Sequence, residues 1–87
     1  MIRKTGVVRN ENGIHCRPAT MISKIARDYS GSIAIVNGNG VEANPSSVLS
    51  ILRLGLIVGD EFTVCVSGPD EERICGDVMY ILEGNLE

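Results

Sequence analysis

A chain of 87 residues is short for a domain, so a single domain over residues 1–87 with one modest core is expected. Hydrophobic residues at 44 % argue against disorder, and aromatics at only 3 % require an aliphatic core of Ile, Val, Leu and Ala. A net charge of −3 leaves no broad basic surface for a polyanion, so nucleic acid is excluded as an expected partner.

Residues 2–8 (IRKTGVV) alternate weakly and predict a strand, broken by turn chemistry at Glu11-Asn12-Gly13. From Pro18 onward Ala19, Ile22, Ile25, Ala26 and Tyr29 follow helical spacing, and Pro18 suits a first turn because its missing N–H has no intrahelical partner there. Ser30-Gly31-Ser32 ends that helix. Residues 33–36 (IAIV) predict a strand, and Asn37-Gly38-Asn39-Gly40 a tight turn that pairs 41–43 back antiparallel. Asn44-Pro45-Ser46-Ser47 offers capping residues before a short helix ending near Gly55. Residues 61–67 (EFTVCVS) alternate as a strand, Gly68-Pro69-Asp70 turns, and Ile74, Val78, Ile81 and Leu82 make a last amphipathic helix. Acid at Asp70-Glu71-Glu72 favours the positive end of that helix. The order β-α-β-β-α-β-α with hairpin turns predicts an α+β fold: an open-faced two-layer sandwich, with a four-stranded antiparallel sheet covered on one face by three helices.

No apolar run is long enough to span a bilayer, and charge interrupts the start of the chain where a signal-peptide core would lie. Three cysteines, an odd count without a Cys-x-x-Cys pair, suit a reducing compartment, so a cytoplasmic location is expected. One histidine with scattered cysteines offers no metal-ligand spacing, and no cofactor motif occurs, so neither a metal nor a cofactor is expected. Cys65 and Cys75 read as free buried thiols.

The chemistry concentrates in NGIHCRPAT, residues 12–20. His15 follows the Gly13 turn at a helix start, where an imidazole near neutrality offers one nucleophilic nitrogen. Helix N-terminal N–H groups lack intrahelical acceptors and form an anion cradle, and the Arg17 guanidinium matches phosphate oxygens. Together these suggest phosphoryl transfer through a phosphohistidine. Taken one residue at a time, the plainer account prevails: His15 or a neighbour caps the helix and Arg17 is a solvated charge. The whole string decides.

GIHCRPAT resembles the Gly-Leu/Ile-His-Ala-Arg-Pro-Ala signature of the HPr family, the histidine-containing phosphocarriers of the bacterial sugar phosphotransferase system. A second stretch, SSVLSILRLG, and the element order match the same family. The resemblance implies that His15 accepts phosphate on Nδ1 from phosphorylated enzyme I and passes it to sugar-specific enzyme IIA proteins. It also implies that Arg17 steadies the phosphoryl group, with Asn12, Cys16 and Pro18 around the cradle. Cys16 stands where the family usually has Ala.

Arg17, Lys24 and Arg27 fall together on a helical wheel beside Thr20 and Met21, a face suited to acidic partner surfaces. The second helix holds more apolar residues than one buried stripe needs, and by the resemblance Leu49 and Leu52 contact partners. Ser47 matches the serine that HPr kinase/phosphorylase modifies in many Gram-positive bacteria, and it reads equally as a plain helix cap. A regulatory binding module, engaging a transcriptional regulator or acting in nitrogen signalling, is the alternative function. A monomer is expected.

Overall fold

The computed structural model describes residues 1–84. Its elements follow the expected order: β1 (Ile2–Val7), α1 (Cys16–Asp28), β2 (Ser32–Asn37), β3 (Glu42–Ala43), α2 (Val48–Leu52), β4 (Glu61–Ser67) and α3 (Glu71–Leu82). All strand pairings are antiparallel, and the sheet order is β1-β4-β2-β3. The last strand in sequence therefore sits inside the sheet, between the first two. The α+β architecture expected from the sequence is the one observed.

Strand period two divides β4 cleanly: Phe62, Val64 and Val66 are buried, while Thr63, Cys65 and Ser67 lie half-buried on the opposite face. The register sets Ile2 against Val66 and Gly6 against Phe62. A Cβ on Gly6 would stand 2.8 Å from Met79 Cε and 3.0 Å from Phe62 Cζ, so glycine leaves the room that the end of the Met79 side chain fills between α3 and β1. Ala19 and Ile22 of α1, Ile51 of α2, and Cys75, Val78 and Leu82 of α3 complete the aliphatic core. Burying each of the larger side chains contributes roughly 1.5–3 kcal/mol before the entropy of ordering is set against it. The other sheet face stays open, where the Thr5 and Thr63 hydroxyls pair across strands at 3.0 Å.

Several boundaries differ from expectation for local reasons. α1 begins at Cys16, two residues before Pro18, because proline is tolerated anywhere in a first turn. α2 closes at Leu52, and Gly55 then turns the chain with φ +65°. β1 stops at Val7, although Val8 N still donates to Asp60 O at 2.9 Å. Of the two thiols read as buried, Cys75 is, but Cys65 is half-buried on the open face. The β2–β3 turn forms as expected, with Asn37 Oδ1 accepting from Asn39 N at 3.0 Å and Val41 N at 2.9 Å. Among the described residues no helix is long and apolar enough to cross a membrane.

Candidate functional site

The loop that delivers His15 is fastened before the helix starts. Asn10 Oδ1 accepts from Asn12 N at 2.8 Å, Asn10 O accepts from Gly13 N at 2.9 Å, and Ile14 N donates to Leu56 O at 3.1 Å. Gly13 holds φ +65°, and a Cβ there would lie 2.7 Å from Leu56 O. Conformation and crowding both require glycine at this position. The loop is thereby pinned to the segment that follows α2.

His15 is the N-cap of α1, in extended conformation at φ −122° and ψ −170°. Its carbonyl accepts from Ala19 N at 3.2 Å, while its side chain makes no capping bond. The ring is half-buried, and Nε2 is closed off with no hydrogen-bond partner among the described residues. Cys16 and Arg17 follow, both exposed, at the first two helical positions. Their amides have no acceptor four places back within the helix. No acidic residue stands in this first turn to neutralise the helix dipole.

Pro18, expected in the cradle, is buried and has no N–H. It contributes no donor, and its part is to fix the turn's backbone. Asn12 lies exposed in the preceding turn, with its backbone N–H already committed to Asn10.

The remaining predicted residues lie along α1 and α2. Thr20 Oγ1 donates to Cys16 O at 2.7 Å, Met21 is 36 % exposed, and Lys24 is exposed. Arg27 is exposed but engaged: its Nε donates to Ser46 O at 3.2 Å, and the buried Ser23 hydroxyl donates to the same oxygen at 2.9 Å. Those two bonds clip the α2 approach to α1. Ser47 is the N-cap of α2, its Oγ accepting from Ser50 N at 3.2 Å. Leu49 is 57 % exposed, whereas Leu52 is half-buried against the core.

Two features escaped the sequence reading. Ser23 looked like one more polar position on a helix, with nothing local to signal its long-range bond. Val58, exposed beside Ile57 in the loop against Gly13, went unremarked although both precede a Gly-Asp turn.

A half-buried imidazole at the N-cap of a helix whose first turn holds no acidic residue can accept an anionic group on its reachable nitrogen. The chain matches the model of the HPr component of the phosphotransferase system, described as its phosphorylation site, over residues 2–83. It belongs to the HPr family. It is 34 % identical over 77 residues to the phosphocarrier protein HPr of Mycoplasma pneumoniae, covering 88 % of each chain. It is 30 % identical over 87 residues to the phosphocarrier protein HPr of Borreliella burgdorferi, covering 100 % of each. The crystal structure of a phosphocarrier protein HPr from Bacillus anthracis superposes with TM-score 0.80 at 25 % identity, covering 92 % of this chain and 94 % of that one. As an HPr-family member the chain is a phosphocarrier of the phosphotransferase system.

Proposed function

We propose that His15 is the phosphoryl acceptor and that the reacting atom is Nδ1. The observation that carries this is the enclosure of Nε2 without a partner. A neutral imidazole has one nucleophilic nitrogen, and a nitrogen shut away from solvent cannot meet an incoming phosphorus atom. With the Nε2 position closed, the lone pair that attacks is on Nδ1 and the ring proton rests on Nε2.

The donor is phosphorylated enzyme I and the acceptors are enzyme IIA proteins. As the bond from His15 Nδ1 to phosphorus forms, the donor's bond to phosphorus breaks and its electron pair returns to the donor atom. The phosphoryl oxygens then face the amides of Cys16 and Arg17 and the Arg17 guanidinium. The two amides, fixed by the helix backbone, offset developing charge without rearranging, which is where electrostatic catalysis gains most. Thr20, Met21, Lys24 and Leu49 form the surface that partners cover.

Incubation with enzyme I and phosphoenolpyruvate tests the assignment. The expected product is an acid-labile phosphate on Nδ1, identified by nitrogen-15 NMR and missing from His15→Ala. A wild type that gains no phosphate, or a His15→Ala variant that gains as much, ends this reading.

A further inference from the structure

Where α1 ends beside the start of α3, an open groove of about 330 Å³ runs between the two helices. Ile25, Asp28 and Tyr29 line it from α1 and its C-cap, and Arg73, Ile74 and Asp77 line it from α3. Ile74 belongs to the core and Ile25 packs against that core, so the floor is aliphatic. Asp28 and Asp77 stand exposed, one on each helix. Tyr29 donates its hydroxyl to Pro69 O at 2.8 Å, which ties the end of α1 to the turn before α3.

The charge of this groove is anionic. Desolvation first, and the Glu71 and Asp70 carboxylates after it, push the Tyr29 hydroxyl above its ordinary value. Negative charge therefore reaches the groove from the first turn of α3 as well as from its own walls. Among the described residues Arg73 is the only cation that lines it, since Lys24 lines the adjoining hollow with Met21. Arg73 is shared between Asp70 Oδ2 at 3.7 Å and Asp77 Oδ2 at 3.9 Å, with all three side chains well exposed. Ion pairs so long and so exposed contribute little to the fold. They do show what the walls attract, a cationic tip on an aliphatic stem.

We propose that this groove docks a basic segment of a protein partner. A Lys or Arg of the segment lies between Asp28 and Asp77, and a neighbouring aliphatic side chain covers Ile25 and Ile74. Charge complementarity chooses the occupant, because acidic walls over an apolar floor match side chains that combine both characters. The same carboxylates repel nucleic acid and anionic lipid. Ile25 stands about 15 Å along α1 from His15, so a partner held here leaves the imidazole free. The groove thus holds the carrier by a face separate from the one that exchanges phosphate.

The probe is the synthetic peptide acetyl-Lys-Leu-Arg-Leu-Lys-amide, with Glu in place of each cation as its control. Nitrogen-15 NMR titration reads its binding to wild type and to the Asp28→Asn/Asp77→Asn double variant, which removes charge and keeps shape. Thermal melting checks the fold, and Asp28→Asn alone serves as the milder variant. The expected shifts cluster on Ile25, Tyr29 and Ile74, and affinity falls about tenfold in the double variant, as the loss of two ion pairs predicts. The Glu peptide should not bind, and phosphorylation by enzyme I should stay within twofold at saturating basic peptide. No shift at millimolar peptide, shifts centred on Arg17 and Leu49, or equal affinity in the double variant overturns the groove. Blocked phosphorylation overturns it too, because the segment then lies over His15. Self-association of wild type that the double variant abolishes, without peptide binding, makes the occupant a second copy and also overturns it. The NMR readout needs no phosphate, so it is independent of the His15 assignment.

Discussion

The N-termini of α1 and α3 differ in what they do with the same electrostatic problem. Neither has a side-chain bond from its N-cap residue, His15 in one and Asp70 in the other. α3 places Glu71 and Glu72 in its first turn. Glu71 Oε1 accepts from Gly68 N at 3.1 Å, and its Oε2 meets the chain's N-terminal ammonium at 3.0 Å. The positive end of α3 is therefore answered from within the chain. α1 has Cys16 and Arg17 in the corresponding places and no acid in its first turn. A helix end with no acid in its own first turn, next to a histidine with one nitrogen closed, is suited to an anion that comes and goes. The stabilised end is structural, and the unanswered end is where exchange chemistry fits.

The largest way to break this contrast is to disturb the loop that aims His15. Gly13→Ala forces a Cβ to 2.7 Å from Leu56 O on a backbone at φ +65°. The left-handed conformation alone costs about 1–2 kcal/mol in a residue other than glycine. We expect Tm to fall on the order of 10 °C in a chain of this size. Phosphoryl acceptance should fall with it at temperatures where the variant is still folded, since the displaced segment carries His15. Melting and transfer rate measured on one sample check both, and an unchanged rate shows that the loop does not aim the ring.

Making α1 resemble α3 should separate stability from function. Cys16→Glu puts a carboxylate at the helix position that Glu71 holds in α3. The helix dipole then stabilises the protein by about 0.3–1 kcal/mol, seen as a slightly raised Tm. The same carboxylate occupies the amide cradle and repels the incoming phosphoryl group. Phosphorylation by enzyme I should slow roughly tenfold, the equivalent of about 1.4 kcal/mol on the barrier. A variant that gains stability and keeps its rate shows that the cradle is not used.

How much of this was legible in the sequence follows from the range of the forces involved. The order of elements, the β2–β3 turn at Asn37 and the acid at the start of α3 are local, set by neighbours within a few residues. That His15, Cys16 and Arg17 stand at a helix start was legible for the same reason, since turn and helix-start signals are local. The Ser23 and Arg27 bonds to Ser46, the approach of Gly13 to Leu56 and the enclosure of Nε2 are different. Each joins segments that are distant in sequence, and only packing creates them. Leu49 and Leu52 looked alike as apolar residues of one helix, yet one is exposed and the other packs against the core. The five-residue length of α2 was equally hidden, because Arg53 and Leu54 carry no breaker signal and the stop comes from Gly55.

A third helix end lies between the two extremes. α2 is capped by a neutral side chain, with Ser47 Oγ accepting from Ser50 N at 3.2 Å. Ser47→Ala removes that acceptor and should cost about 1 kcal/mol. In a domain of this size that is a Tm loss of roughly 4–8 °C. Because Ser23 and Arg27 still hold Ser46, transfer from enzyme I should change less than twofold. A larger loss of rate shows that the cap positions the partner surface as well as the helix.

The smallest effect belongs to the end that is already answered. The Gly68 N–H first, and the N-terminal ammonium second, hold the Glu71 carboxyl below its ordinary value of 4.5. A carboxylate whose folded pKa is depressed stabilises the fold at pH values above the unfolded pKa. That contribution is lost as pH falls through the folded value. Glu71→Gln should therefore melt slightly below wild type at neutral pH, and the gap should close as pH drops below about 4.5. Exposure to solvent and salt keeps the gap small throughout. Equal melting temperatures at neutral pH show that α3 does not depend on its own acid, and the contrast with α1 then rests on the phosphate site alone.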